Sequence, residues 1–531
     1  MASLKIDPIA PGQAVLHKVQ TTDDFLTNNS FMYQVLPNGQ GTSYSYSGNS
    51  RIQFDLTSNS DMVDFSETHL MFNYTTTLTE GNAARQVGMR DQARWLEGGA
   101  VNVIRNIQIQ SLAGGTLIEN IQGYNKLQHI ISCVTEEPNF IDRVKCKRHD
   151  SMNEVYDVGF NGSELRPVWS NSTSFGGARP TDGDFGVTPE AWGVVLQPSN
   201  DDYKVVNTNA DGADLAAMIA LLNARTKKSV RAESFQQART ASQRCTLKLN
   251  TGLFKNKEWF PLLLTKGISI IIELEAPEFV CQTGVNPQAD NGMSVDYSIS
   301  TPKLYCRLVT PSQSLVEQYV KAMNNDNLNY QFGTYDRVLT QIPAGSAGNI
   351  SFQLPVSRRS ISHTISVIQN PRKNALNRTT SASLNSYNYP HRYINGNMTS
   401  VQWQCGSQLY PISGVVEIDR YNARPMELLL TTFGLNGEQA AMRMKPYEFQ
   451  CRNTDSGNAD NAHKLILAYR FSKDYSPFTG LDTSNGNYIQ MNLTSSGAYQ
   501  IAAANQPLYV YSYVGYDSVL SITKNGLIVR R

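Results

Sequence analysis

The sequence predicts a mainly all-β protein built from two antiparallel β-sandwiches in tandem, with a few short helices and long loops. Three observations predict it. Seven Asn-Gly dipeptides, at Asn38, Asn161, Asn291, Asn395, Asn436, Asn485 and Asn525, punctuate the 531 residues. Asn-Gly between alternating runs is the strongest short hairpin signal, because a tight two-residue turn needs positive φ twice and only Gly and Asn take it cheaply. Runs of strict apolar and polar alternation lie beside most of these turns, and each such run is a strand with one face in a core. The alternation occurs in both halves of a chain too long for a single core, so two cores are expected.

In the first half the alternating positions are Ile52, Phe54 and Leu56, then Val101, Val103, Ile107 and Ile109. Cys245, Leu247 and Leu249 follow, then Ile268, Ile270, Ile272 and Leu274. The second half repeats the scheme at Ile350, Phe352 and Leu354, at Val401, Trp403 and Cys405, at Leu465, Leu467, Tyr469 and Phe471, and at Ile489, Met491 and Leu493. Between the halves, Pro311 precedes Ser312, a good N-cap. Leu315, Val316, Tyr319, Val320 and Met323 then share a helical face before Asn324, Asn325, Asp326 and Asn327 stop it. A connecting helix is expected there. Ile121, Tyr124, Leu127, Ile131 and Val134 share a second helical face, and the Asp214 to Ala224 run offers a third. Tyr156 to Gly212 and Asn370 to Asn397 are rich in polar and turn-forming residues and read as long loops, which in compact domains are usually functional.

Composition excludes several classes. Lys plus Arg is 46 against 45 acids, a net charge of +1, so the basic excess of a protein that coats a genome is missing and direct nucleic-acid packaging is not expected. Met1 to Gln20 has no apolar run flanked by basic residues, so it does not read as a secretory signal. The most apolar stretches, Phe260 to Glu275 and Leu215 to Ala224, are interrupted or too short for a bilayer, which needs ~20 residues. Seven cysteines, at 133, 146, 245, 281, 306, 405 and 451, are an odd number spread thinly, which fits a reducing compartment. Cys245 and Cys405 take the inward phase of their runs, where a thiol behaves as a small hydrophobe. Eight Asn-x-Ser/Thr matches, among them Asn73, Asn171, Asn377 and Asn492, are what an Asn-, Ser- and Thr-rich β-protein produces by chance.

Candidate chemistry is sparse. His129 and Cys133, one helical turn apart, followed by Cys146 and His149, form a spacing that zinc accepts. An ordinary helix followed by a solvated basic loop accounts for the same residues, since Lys145, Lys147 and Arg148 surround the second pair. Asp182 and Asp184, and the Asp455 to Asn461 segment, lack the glutamate that a calcium loop places further on, so turns are expected. The basic clusters Arg143 to His149 and Arg225 to Arg231 suit nuclear entry or contact with a membrane or genome, and equally a solvated face. No nucleophile elbow, P-loop, His-Glu-x-x-His or dinucleotide fingerprint occurs. No catalytic residue, cofactor or metal is assigned, and the chain is not expected to be an enzyme.

From Arg244 the sequence runs RCTLKLNTGLFKNKEWFPLLLTKGISIIIELE, a strand, a Gly-marked loop, a Phe-Pro-Leu-Leu-Leu segment and a second strand ending at Glu275. The second half adds VQWQCGSQLYP (Val401 to Pro411), MELLLTTFGLNG (Met426 to Gly437), the Leu465 to Phe471 run, FTGLDTSNGNYIQMNLT (Phe478 to Thr494) and LYVYSYVGYDSVLSITKNGLIV (Leu508 to Val529). In this order the motifs resemble the double jelly-roll major capsid proteins of double-stranded DNA viruses, most of all those of the virophage and polinton-like virus group. The resemblance spans roughly residues 45 to 531, and it is carried by the order of the motifs. The first 30 residues lack the apolar helix that some relatives lay against an internal membrane.

The resemblance implies two tandem eight-stranded jelly rolls. Residues 1–44 would form an arm and first-strand region, 45–310 the first jelly roll with its loop at 156–212, 311–327 the connecting helix and 328–531 the second jelly roll. It further implies a homotrimeric, pseudo-hexagonal capsomer tiling an icosahedral virion shell. The protein would be made in the host cytoplasm and contact neighbouring capsomers, penton and minor capsid proteins, and an internal membrane or host receptor through its loops. Three two-wedge blocks around a three-fold axis give six similar wedges, a tile that packs without gaps, with obligate interfaces on the order of 2,000 Å². A net charge near zero suits dense lateral packing. A glycan- or receptor-binding tandem sandwich is the alternative, with Tyr387, Tyr389, Tyr393 and Asn395 stacking on a sugar. A β-sandwich carbohydrate-active enzyme is a third class, for which no acid pair is assignable.

Overall fold

The structure, a computed structural model, describes residues 27–39, 41–79, 93–95, 99–135, 194–199, 202–207, 240–283, 294–325, 328–369, 393–418, 423–435, 465–474, 476–498, 500–501, 504–505 and 507–531. The first half contains β1 (Thr27–Val35), β2 (Ser43–Tyr44), β3 (Arg51–Leu56), β4 (Met62–Thr79), β5 (Ala93–Trp95), β6 (Ile104–Ser111), β7 (Leu117–Gln122) and α1 (Tyr124–Thr135). It continues with β8 (Val194–Ser199), β9 (Asp202–Asn207), β10 (Thr240–Lys248), α2 (Gly252–Lys255), α3 (Leu262–Thr265), β11 (Ile268–Leu274), β12 (Cys281–Thr283) and β13 (Ser294–Pro311). After α4 (Gln313–Asn324) come β14 (Leu328–Ile342), β15 (Gly348–Leu354), β16 (Ile361–Gln369), β17 (Met398–Cys405), β18 (Gln408–Tyr410), β19 (Val416–Glu417) and α5 (Arg424–Thr432). The chain ends with β20 (Ile466–Arg470), β21 (Ile489–Ser495), β22 (Gln500–Ile501), β23 (Ala504–Asn505), β24 (Leu508–Thr523) and β25 (Gly526–Arg530).

Each half folds into two facing antiparallel sheets. In the first, β1-β13-β4-β10 form one sheet, with β2 beside β13, and β3-β11-β6-β7 form the other. In the second, β14-β24-β16-β20, with β25 beside β24, faces β15-β21-β17-β18, with β19 beside β17. Ranking the eight principal strands of each half in chain order gives the same arrangement twice: first-eighth-third-sixth in one sheet, second-seventh-fourth-fifth in the other. That is the jelly-roll order, and the chain carries it in tandem.

The inward positions of the alternating runs build the core. Ile52, Phe54, Leu56, Ile107, Ile109, Ile268, Ile270, Ile272, Val401, Trp403, Ile489, Met491 and Leu493 are all buried. A fully buried aliphatic or aromatic side chain contributes about 1.5–3 kcal/mol, so these few strands supply much of the drive to fold. Ile271 and Ser269, on the other face of β11, are buried as well.

Several expectations need correction. Val101 and Val103 sit on a 3-10 turn at Gly99–Val103; the strand starts at Ile104, and a register shift between Ile104 and Asn106 leaves Arg105 exposed at the position between Val103 and Ile107. Ile121 belongs to β7 and not to the helix, because Gly123, at φ 64, turns the chain between them. Cys245 is buried as expected, but Cys405 ends β17 and is half-buried. β1, inside the 1–44 region expected to hold the first strand, pairs along its length with β13. The Asp214 to Ala224 run lies outside the described residues.

Among the described residues the Asn-Gly turns are mostly not hairpins; Asn161, Asn291 and Asn436 lie outside them. In a jelly roll, consecutive strands lie in opposite sheets except the fourth and fifth, so tight two-residue connections are few. Only Asn525 of the described pairs sits in one, in the Lys524-Asn525 turn between β24 and β25. The β17–β18 hairpin turns on Gly406-Ser407, with Gly406 at φ 59. Strand direction alternates along the chain, so connections fall into two sets at opposite ends. The segments 80–103, 123–239, 370–397 and 411–465 all leave at one end, and the links 57–61, 112–116, 249–267, 355–360, 406–407 and 471–488 lie at the other, the base.

Candidate functional site at the seam between the two halves

The feature that distinguishes this chain from two separate sandwiches is the seam between them. The first half contributes β7, the residues after it, and the loop carrying α2. The second half contributes β14, β16 and β24. At the centre stands Glu119 of β7, which shares its sheet face with Ile109 across the ladder and is 1% exposed. Its carboxylate accepts from Thr334 Oγ1 at 2.7 Å, Gly252 N at 2.8 Å and Leu253 N at 3.2 Å. One acid therefore ties β7, α2 and β14 together. Burial pushes its pKa up, and these donors pull against that shift.

The backbones approach closely here. A Cβ added at Gly252 would overlap the Gly333 carbonyl of β14, so no other residue fits without moving one half from the other. Around this contact, Asn256 Nδ2 donates to Gln331 O at 3.2 Å and Tyr330 OH donates to Trp259 O at 2.9 Å. Tyr513 OH donates to Gly123 O at 3.0 Å, and Arg531 Nη2 donates to Leu117 O at 3.0 Å. Further up, Lys126 of α1 donates to Gln369 Oε1 and lies 3.3 Å from the ring centroid of Tyr511. Burial, with Arg337 adding to it and Glu275 opposing, brings the Lys126 ammonium down to about 7. His363 is half-buried against Tyr335 and Ser362, and desolvation with Arg470 and Lys255 nearby holds its pKa down to about 3, so it is neutral.

The sequence candidates map as follows. His129 and Cys133 do meet in α1, with the thiol 3.7 Å from the ring, but the imidazole Nδ1 also lies 3.2 Å from the Tyr393 hydroxyl of the second half. Cys146 and His149 lie outside the described residues. Among the described residues no three His, Cys, Asp or Glu side chains are grouped to hold a metal ion. Asp182, Asp184, Asp455 to Asn461, Arg143 to His149, Arg225 to Arg231, Tyr387 and Tyr389 also lie outside the described residues. Tyr393 and Asn395 are buried, at 0% and 8% exposure, and so are not a sugar-stacking surface. Among the described residues no helix is long and apolar enough to cross a membrane.

Sequence reasoning missed Glu119, Gly252, Lys126 and the tyrosines of β24. One signal was present: Tyr509, Tyr511 and Tyr513 alternate with Leu508, Val510 and Ser512, which marks a strand with a second surface to cover. The seam covers it, since Tyr513 is fully buried although it faces away from the sandwich core.

No protein-family model and no curated protein matches the sequence. Solved structures do match. The chain is similar to one in the structure of the Sputnik virophage, with a TM-score of 0.54 and 11% identity over 95% of this chain and 88% of that one. It is similar to the Faustovirus major capsid protein, with a TM-score of 0.50 and 10% identity over 93% and 90%. The mavirus major capsid protein superposes with a TM-score of 0.49 and 11% identity over 94% and 89%. At such identities the first two likenesses show the fold alone, and that fold is the double jelly roll.

Proposed function

We propose that this chain is the major capsid protein of a double-stranded DNA virus, of the virophage or polinton-like type. Three copies form a pseudo-hexagonal capsomer, and capsomers tile an icosahedral shell. The carrying observation is the strand order repeated in two sandwiches that are welded side by side through Glu119, Thr334 and Gly252. A block made of two like wedges, copied about a three-fold axis, gives a six-cornered plate from one gene. The fold shared with the Faustovirus major capsid protein supports the same reading.

The protein works as a building block in the virion, without catalysis, after synthesis in the host cytoplasm. Neighbouring capsomers, penton and minor capsid proteins are its partners at the edges of the plate. The longest connections share one end of both jelly rolls, which suits the outer face of a shell, where receptor is met. The opposite base carries Thr27 and Arg531 and suits the inner face, towards any membrane or genome. Electron microscopy of the expressed protein tests the assembly: hexagonal sheets or closed shells are expected, and a protein that stays dispersed as single chains across salt and pH contradicts it.

A further inference from the structure

The seam also brings together the parts of a covalent bond. Lys126 of α1 donates through Nζ to Gln369 Oε1 at the end of β16, so an amine of the first half meets a carboxamide of the second across 243 positions of sequence. Gln369 is 1% exposed and pairs in register with Tyr509 of β24. Lys126 is half-buried, and its Nζ lies 3.3 Å from the centroid of the Tyr511 ring.

Three features of this contact go beyond a hydrogen bond. The amine is desolvated: burial first and Arg337 second bring it from 10.5 down to about 7, with Glu275 opposing, so at neutral pH a large share of chains carry it uncharged and nucleophilic. Its target is close. Cδ of Gln369 is one carbonyl bond, about 1.2 Å, from the oxygen that Nζ already touches, and rotation of the lysine end brings Nζ to the ~3–3.5 Å of a near-attack arrangement. A proton carrier stands beside them. Glu275 is near enough for its charge to act on Lys126, and it is fixed by Asn125 Nδ2 at 3.0 Å on one oxygen and by Ala276 N at 3.0 Å on the other. Each of these oxygens keeps a second lone pair that can take a proton.

We propose that Lys126 and Gln369 join in an intramolecular isopeptide bond that fastens the two halves of the chain to each other. The uncharged Nζ attacks Gln369 Cδ, and the Nζ–Cδ bond forms as the carbonyl electron pair moves onto Oε1. Glu275 takes a proton from Nζ and passes it to Nε2. The electron pair returns from Oε1, the Cδ–Nε2 bond breaks, and ammonia leaves. One amine and one carboxamide become one secondary amide and one ammonia, and no oxidant or reductant is consumed. Holding the pair in one seam turns a bimolecular encounter into a unimolecular step, so the folded chain itself drives the reaction. The bond follows folding: the freshly folded chain carries a free amine, and the pH dependence that Lys126 lends to it fades as ligation proceeds. The cross-link closes residues 126–369 into a ring, which constrains the unfolded chain as a disulfide does. The bond is independent of what the chain assembles into.

The test uses full-length protein held for one week at pH 9, followed by intact mass and by mapping of proteolytic peptides. A loss equal to one ammonia is expected, together with a branched peptide that contains both Lys126 and Gln369. Mass alone does not decide, because Asn-Gly dipeptides also lose ammonia when they close to succinimides, but succinimides give no branched peptide. Lys126→Met and Gln369→Met, checked for folding by circular dichroism, are each expected to abolish the branched peptide. The wild-type map stands by itself where a variant does not fold. Glu275→Gln is expected to slow ligation at least ~100-fold, the usual scale for loss of a proton-transfer group. Full recovery of unmodified Lys126 and Gln369 peptides from the week-old wild type overturns the proposal, as does ammonia loss without the branched peptide. Ligation of the Glu275→Gln chain at the wild-type rate overturns the role given to Glu275.

Discussion

Thr334, near the start of the second half, donates its hydroxyl proton to Glu119 of the first half at 2.7 Å, with neither side chain open to solvent. The same carboxylate takes two backbone N–H groups from α2. A buried acid with three donors from two other elements is a joint, and its loss leaves those donors without partners.

Replacing Glu119 with Ala is therefore expected to cost about 3 kcal/mol, the scale of leaving buried polar groups unpaired. Thr334→Val, which removes one donor only, is expected to cost about 1 kcal/mol. Urea unfolding of both variants checks the order; a larger loss from Thr334→Val would contradict it.

Gly252 and Gly333 face each other across the seam but are not equivalent. A Cβ at Gly252 meets the Gly333 carbonyl, whereas one at Gly333 has only an ordinary contact at 4.0 Å. Gly252→Ala is expected to destabilise by about 2 kcal/mol or more, and Gly333→Ala to stay within about 1 kcal/mol of wild type. Thermal melts of the pair give the comparison, and equal effects would refute the close approach.

Lys126 makes the seam sensitive to pH. Burial first, and Arg337 second, lower it from 10.5 to about 7, with Glu275 opposing and Gln369 and Tyr511 as its neighbours. The unfolded chain thus holds this proton more tightly than the folded one. Stability contributed here rises with pH from about 7 towards 10.5, by up to about 1.4 kcal/mol per unit, and is level below 7. Lys126→Met is expected to flatten that slope between pH 7 and pH 9 and to stabilise the protein at pH 7. A slope that survives the substitution would assign it to another group.

Trp403 is 1% exposed and stacks on Tyr469 at 5.2 Å in the second core. Trp403→Ala is expected to cost about 3–5 kcal/mol, the usual price of emptying a large aromatic site. Calorimetry that found a cost below about 1 kcal/mol would place Trp403 outside a packed core.

Much of the fold is legible in the sequence because a strand with one buried face writes itself as alternation. The inward positions of Ile52 to Leu56, Ile268 to Leu274 and Ile489 to Leu493 are all buried. The turns were misread because jelly-roll links mostly cross between sheets, so Asn38, Asn395 and Asn485 punctuate crossovers where hairpins were expected. The seam was hidden for a different reason. Glu119 and Thr334 are 215 positions apart, and nothing local to either residue announces the other. A buried Glu on a strand and a Gly that opens a short helix gain their meaning only when the halves are placed together.

In the proposed assembly, two like wedges in one chain are copied three times into a six-cornered plate. Single-particle electron microscopy of the purified native oligomer tests this most directly. The expected particle holds three chains of 59.0 kDa, about 177 kDa, and shows six lobes with three-fold symmetry in end-on averages. A two-fold dimer with four lobes, or an isolated two-lobed chain as the native species, would contradict it.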